Sequence, residues 1–253
     1  MRLANQVALV TGAAGALGRV VAGALAAEGA RVAALDLDRD GLARTAELVR
    51  GRGSQAATAV ADLVDPDVVT EAVARTSGEL APPGQGVDIL VNCAGGGTVS
   101  PFATMPHQTW TAQIDRNLNS VFTATRAVLP GMLERGYGRI VSISSVAAIS
   151  GGRLVRGATA YATAKAGIIG LTKALAIEVA EQGVTVNCLA PGAQATPARD
   201  GDSAERREQL LAQIPTRLLG RPEHLAEAVV FLASDAGRNI TGVVLPLDGG
   251  HSI

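Results

Sequence analysis

Val7-Ala-Leu-Val-Thr-Gly-Ala-Ala-Gly-Ala-Leu-Gly18 decides the fold of this chain. Its first four residues, Val7–Val10, read as a short buried strand. Thr11–Gly18 forms a glycine-rich turn, and the alanine-rich stretch Arg19–Glu28 that follows has helical length. Such a turn lets backbone N–H groups approach a pyrophosphate, and the helix N-terminus adds a favourable field. Gly12, Gly15, Leu17 and Gly18 are therefore candidate cofactor-binding residues.

The same rhythm continues outward from this stretch. Short apolar runs recur at Arg31–Leu35, Ala56–Ala61, Asp88–Asn92, Arg139–Ser142, Val184–Leu189 and Val243–Leu247. Helical segments such as Arg39–Arg50 and Pro66–Thr76 separate them. Runs that are apolar on both faces and alternate with helices predict a parallel sheet covered by helices on each side. No repeat or low-complexity linker divides the chain, and Ala81-Pro-Pro-Gly-Gln-Gly86 reads as a surface loop. The expectation is one α/β domain over residues 1–253.

The 253 residues are 47% hydrophobic and 18% charged, a balance that excludes a disordered chain. A net charge of −1 with no basic stripe gives no support for binding nucleic acid or an anionic membrane. No apolar run has membrane length, and the N-terminal run is too short for a signal-peptide core. The expected location is cytoplasmic, with Cys93 and Cys188 as buried free thiols. His107, His224 and His251 lack metal-ligand spacing, so no metal site is read; Trp110 reads as helix packing.

Asp36 closes the second strand, 18 residues past Gly18, where a carboxylate accepts hydrogen bonds from an adenosine ribose. A 2′-phosphate beside it would meet like-charge repulsion. Neither Gly15 nor Leu37 supplies a cation, and Arg39 begins the next helix. NAD is thus expected over NADP.

Tyr161-Ala-Thr-Ala-Lys165 sets a phenol and an ammonium one helical turn apart on one face. A lysine cation favours the phenolate and brings a tyrosine towards general acid/base work. Upstream, Arg139-Ile-Val-Ser-Ile-Ser-Ser145 ends in hydroxyls able to hold a substrate oxygen. Downstream, Pro191-Gly-Ala-Gln-Ala-Thr196 offers a rigid turn with one hydroxyl for a carboxamide.

Thr11–Gly18, Asn92-Cys-Ala-Gly95, Asn117-Leu, Ser144-Ser145, Tyr161 with Lys165, Pro191-Gly with Thr196, and Asp248-Gly-Gly250 stand in the order of the short-chain dehydrogenase/reductase family. The chain resembles that family along essentially its whole length. The resemblance implies a single-domain, Rossmann-type, doubly wound parallel sheet. It implies Tyr161 as general acid/base and Lys165 as the residue that binds the nicotinamide ribose and lowers the tyrosine pKa. Ser145, with Ser144 as the alternative, would orient the substrate oxygen, and Asn117 would complete the site through a proton-relay water. Asn92 and Gly95 resemble the turn after the fourth strand beside the cofactor. Asp62 resembles a residue at the adenine; Pro191, Gly192 and Thr196 resemble the turn at the nicotinamide carboxamide. Ile240–Ile253 resembles the tail that builds homotetramers.

The resemblance departs at Ala16, where the family's motif has glycine, and in a longer interval between Ser145 and Tyr161. That interval carries Arg153 and Arg156 as possible anchors for an anionic substrate. Ala193–Leu219 lacks a strand signal and reads as a lid segment. Within it, Asp202-Ser-Ala-Glu205 reads as a capping box before a helix whose Leu210, Leu211 and Ile214 would face a hydrophobic substrate.

The expected activity is NAD-dependent hydride transfer between a small-molecule secondary alcohol and a ketone. The alternative within enzymes is a 3-oxoacyl thioester (acyl-carrier-protein or CoA) reductase. From another class, the alternative is a nucleotide-sensing binding protein without turnover.

Overall fold

Seven strands pair in parallel in the order β3-β2-β1-β4-β5-β6-β7. The computed structural model describes residues 1–151 and 156–253. The strands are β1 (Val7–Thr11), β2 (Arg31–Asp36), β3 (Ala56–Val60), β4 (Ile89–Asn92), β5 (Gly138–Ile143), β6 (Val184–Pro191) and β7 (Val244–Leu247). The strand order reverses between β1, which pairs with β2, and β4, which pairs with β5. A crevice opens at the carboxyl ends of the strands at such a switch point.

Alternation along β1 shows why both faces are apolar. Ala8 and Val10 pack with Val21 and Leu25 of α1 (Ala16–Ala27) and Val229 of α9 (Pro222–Ala233). Val7 and Leu9 face the other way, into a cluster with Val69 of α3 (Pro66–Leu80) and Val128 of α5 (Ser120–Arg135). Helices thus cover both faces. Leu9 is fully buried, and Leu9→Ala would cost about 2–5 kcal/mol through the cavity left behind.

Helix starts differ in a way that positions the site. In α2 (Arg39–Gly51), Asp38 caps the Gly41 N–H; in α3, Asp65 caps the N–H groups of Asp67 and Val68. Helix α1 starts at Gly15 with no side-chain cap, which leaves its first N–H groups facing the crevice. The remaining helices are α4 (His107–Ile114), α6 (Ala147–Ser150), α7 (Thr159–Val179) and α8 (Ala204–Ala212). Between α4 and α5, Asp115–Asn119 forms a π-turn. Among the described residues, no helix is long and apolar enough to cross a membrane.

Candidate active site

A cavity of about 1170 Å³ runs along the carboxyl ends of the strands, from Asp36 and Asp62 after β2 and β3 to Ser145 and Gly192 after β5 and β6. Its β1 end is built by close backbone approach. Gly12 has φ +64, and a Cβ there would lie 2.5 Å from Ala94 Cα. A Cβ on Gly18 would run into the Gly12 carbonyl. Ala16, the departure from the family's glycine, is exposed on the cavity wall and accommodated there.

Asp36 lines this end with its carboxylate already oriented. It accepts hydrogen bonds from Ala14 N–H at 3.0 Å and Asp38 N–H at 3.1 Å. Leu37 beside it is exposed, and Arg39 lines a separate hollow with Thr58 and Arg75. Arg19 directs its guanidinium to the Ala14 carbonyl and the Thr45 hydroxyl. Asp62 is exposed on the cavity wall and accepts the Val64 N–H at 3.1 Å. The glycine cradle, the uncapped α1 N-terminus and this carboxylate fit a nicotinamide dinucleotide. Gly12, Gly15, Leu17, Gly18, Asp36 and Asp62 would hold its adenosine and pyrophosphate half.

At the other end, β5 delivers two serines to different places. Ser144 Oγ donates to the Lys165 carbonyl at 2.8 Å and is buried; Ser145 lines the cavity beside Tyr161. Helix α7 carries Tyr161 and, one turn on, Lys165, whose Nζ donates to the Ile143 carbonyl at 2.8 Å. Asn117 sits on the π-turn, fully buried. Its Nδ2 donates to the carbonyls of Gly96 and Gln113, and its Oδ1 accepts the Gly96 N–H, each at 3.0 Å. A Cβ on Gly95 would stand 2.6 Å from Asn117 Oδ1 and 3.0 Å from Lys165 Nζ, so this glycine lets both groups converge.

Burial governs the charges here. It pushes the Lys165 ammonium down to about 8. It also pushes the Tyr161 phenol above its ordinary value, with the Ser145 hydroxyl opposing it. Cys93 lines the cavity rather than lying buried within the core, with its thiol pushed up to about 12 by desolvation. Among the described residues, no group of three His, Cys, Asp or Glu side chains is disposed to hold a metal.

Several expectations need correction. Asn92 does not face the cavity: its Nδ2 donates to Thr125 and Ser142 hydroxyls inside the core, tying β4 to α5 and β5. Pro191 contributes only its carbonyl, which accepts the Val146 N–H at 2.9 Å, whereas Gly192 and Thr196 line the wall. Lys165 and Asn117 stand behind that wall. Arg153 lies outside the described residues, and Arg156 is exposed away from the cavity.

The segment expected to form a lid differs most. The cap of α8 is Ser203, not Asp202, accepting the Arg206 N–H at 3.2 Å. Leu210 and Leu211 are half-buried off the cavity and Ile214 is fully buried. The cavity instead meets Arg199, Asp202 and Arg206. An apolar stripe on a lid packs wherever apolar surface is available, and here that is the body of the protein.

Two features of the site escaped the sequence reading. Gly97 lies against the Tyr161 ring, where a Cβ would come within 3.3 Å of Cγ. The Arg199–Asp202–Arg206 cluster is the other. Gly95-Gly-Gly97 was a signal for the first; the i, i+3 and i+4 charge spacing was a signal for the second.

The chain belongs to the short-chain dehydrogenase/reductase family. The family model described as enoyl-(acyl carrier protein) reductase matches residues 12–252. A Thauera aromatica protein, (2S)-[(R)-hydroxy(phenyl)methyl]succinyl-CoA dehydrogenase subunit BbsD, is 38% identical over 253 residues, covering 100% of this chain and 99% of its own. The 3-oxoacyl-[acyl-carrier-protein] reductase FabG of Escherichia coli K12 is 38% identical over 250 residues, covering 99% of this chain and 98% of its own. In structure, the chain is similar to a candidate gluconate dehydrogenase from Agrobacterium tumefaciens. The TM-score is 0.90 at 34% identity, over 99% of this chain and 97% of that one. This protein is thus an oxidoreductase of the nicotinamide-using class.

Proposed function

We propose that the chain interconverts a secondary alcohol and a ketone on an acyl thioester, with NAD(H) as cofactor. The observation that carries the chemistry is Tyr161 beside Ser145 at the β5 end of a cavity whose β2 end carries Asp36. The thioester narrows the first expectation of any alcohol or ketone towards its alternative. Both relatives named above, a succinyl-CoA dehydrogenase and a 3-oxoacyl-carrier reductase, act by name on an acyl thioester.

A nicotinamide bound in the cavity would supply hydride for ketone reduction in its reduced form and take it up from the alcohol in its oxidised form. As the carbonyl π pair moves onto oxygen, Tyr161 gives that oxygen its phenolic proton; oxidation reverses the transfer. Ser145 donates to the same oxygen and orients it. Lys165, protonated at neutral pH, faces the phenolate that remains. Asn117 fixes the Gly95–Gly97 turn against the Tyr161 ring through its bonds to Gly96. Retention of all four groups favours turnover over a nucleotide sensor.

NAD is favoured because the Asp36 carboxylate would repel a 2′-phosphate, and the described residues between 12 and 64 that line this end of the cavity include no arginine or lysine. The whole chain acts as one nucleotide-binding domain, with 193–219 as its lid, in a cytoplasmic homotetramer; exposed Phe122 and Ile177 offer apolar surface for assembly.

The test follows reduced-nicotinamide absorbance with acetoacetyl-CoA and with simple ketones, using NADH and NADPH. Turnover of the thioester with NADH, lost in Tyr161→Phe, supports the reading. Turnover of the ketones alone would overturn the thioester assignment, and a preference for NADPH would overturn the cofactor.

A further inference from the structure

The 193–219 segment lines the cavity with charged as well as apolar side chains. The charged side chains among the described lining residues are Asp36 and Asp62 after β2 and β3, Asp115 and Arg116 at the start of the segment that carries Asn117, and Arg199, Asp202 and Arg206 after β6. Asp202 is largely shielded, its side chain 16% exposed, and it holds both arginines. Arg199 Nη1 meets Asp202 Oδ2 at 3.1 Å, and Arg206 Nε meets Oδ1 at 3.3 Å. One carboxylate thus orients two guanidinia and leaves one positive charge uncompensated.

Arg206 engages Asp202 through Nε, so the outer edge of its fork remains available; its side chain is 73% exposed while lining the cavity. The Ser203 cap on the Arg206 N–H fixes the turn from which it projects. A guanidinium fork held this way suits the paired oxygens of a phosphate or carboxylate. Val146, Ala147 and Ala158, which line the cavity with Tyr161, carry no charge.

We propose that Arg199 and Arg206, oriented by Asp202, bind an anionic group that the substrate carries beyond its reacting carbon. This rests on the thioester reading above. The anion has two possible sources, a phosphate of the thiol carrier or a carboxylate on the acyl chain.

Three probes separate the sources: 3-oxohexanoyl-CoA, 3-oxohexanoyl-N-acetylcysteamine, and 3-oxoadipyl-N-acetylcysteamine. They share the reacting group and differ in phosphate or carboxylate. The wild-type protein should prefer one anionic probe over the uncharged one by KM. Preference for the CoA ester identifies phosphate; preference for the oxoadipyl ester identifies carboxylate. Arg206→Gln should cut that preference roughly ten- to hundredfold, mainly in KM, and Arg206→Lys should retain part of it.

Equal use of all three probes by the wild type overturns the proposal while leaving the thioester reading intact. So does an unchanged preference in Arg206→Gln. A uniform loss on all three, with weaker NADH binding by fluorescence titration, would place the arginines on the cofactor instead. No turnover of any probe would overturn the thioester reading, and this proposal with it.

Discussion

Asp36 Oδ2 accepts the Ala14 N–H at 3.0 Å, which joins the end of β2 to the glycine turn after β1. The carboxylate that would read the ribose is thus held by the loop that would receive the pyrophosphate. Affinity and cofactor choice are coupled through this one bond. Asp36→Ala should weaken NADH binding tenfold or more, on the order of 1.5–3 kcal/mol for charge-assisted bonds. NADPH should lose less, since its repulsion is removed at the same time. Fluorescence titration of both nucleotides checks this, and a ratio that does not narrow would contradict it.

Gly18→Ala tests the close approach of α1 to the turn. Its methyl would overlap the Gly12 carbonyl, so the backbone must shift. The expected cost is about 1–3 kcal/mol of stability. In a chain of this size, each kcal/mol lowers Tm by about 2–4 °C. NADH should restore less of that loss than it adds to the wild type, because the N–H groups aimed at its pyrophosphate have moved.

Tyr161→Phe should lower kcat for ketone reduction by at least about 10²–10⁴ and leave the NADH dissociation constant nearly unchanged. The pH profile carries further information. Reduction uses the neutral phenol, and burial raises the pKa of Tyr161. Reduction should therefore hold across neutral pH and fall only as pH climbs through that raised value. Ser145 opposes the rise, so Ser145→Ala should push the fall to still higher pH as well as slowing turnover.

Lys165 is a stability cost in the cofactor-free protein. Its folded pKa of about 8 lies below the ordinary 10.5, which amounts to about 3 kcal/mol of penalty on the buried cation. Below pH 8 both folded and unfolded states are protonated there, and the penalty is complete. Between 8 and 10.5 the unfolded chain holds the proton that the folded one has released, so stability rises with pH. Lys165→Met should lack that rise. At pH 7 it should be the more stable protein by about 1–2 kcal/mol, the gain being reduced by an Ile143 carbonyl left without its donor. Paired urea titrations at pH 7 and about 9.5 read both effects; a less stable variant at pH 7 would contradict the argument.

The strands were legible because each is apolar on both faces and bounded by turn residues. The run Ala56–Ala61 became Ala56–Val60, and Arg139–Ser142 became Gly138–Ile143. The candidate catalytic pair was legible because Tyr161 and Lys165 lie one turn apart on a single helix. The lid was not: Leu210, Leu211 and Ile214 announce an apolar stripe, but no local signal says whether it meets substrate or core. Asn92 was misread for a related reason. Its position at the end of β4 places it beside the cofactor turn, yet its side chain points between β5 and α5.

By itself the sequence determined the parallel sheet, the glycine turn, the Asp36 carboxylate and the Tyr161–Lys165 spacing. These depend on periodicity and short separations, which the backbone enforces locally. Only the tertiary structure decided that Ser144 props Lys165 while Ser145 faces the cavity, since adjacent residues at a strand end point to opposite sides. It alone set the burial of Tyr161 against the Ser145 hydroxyl. It alone brought Arg199, Asp202 and Arg206 together at the cavity wall. Those outcomes depend on which surfaces meet across the whole chain, and a side chain's solvation is a property of its neighbours.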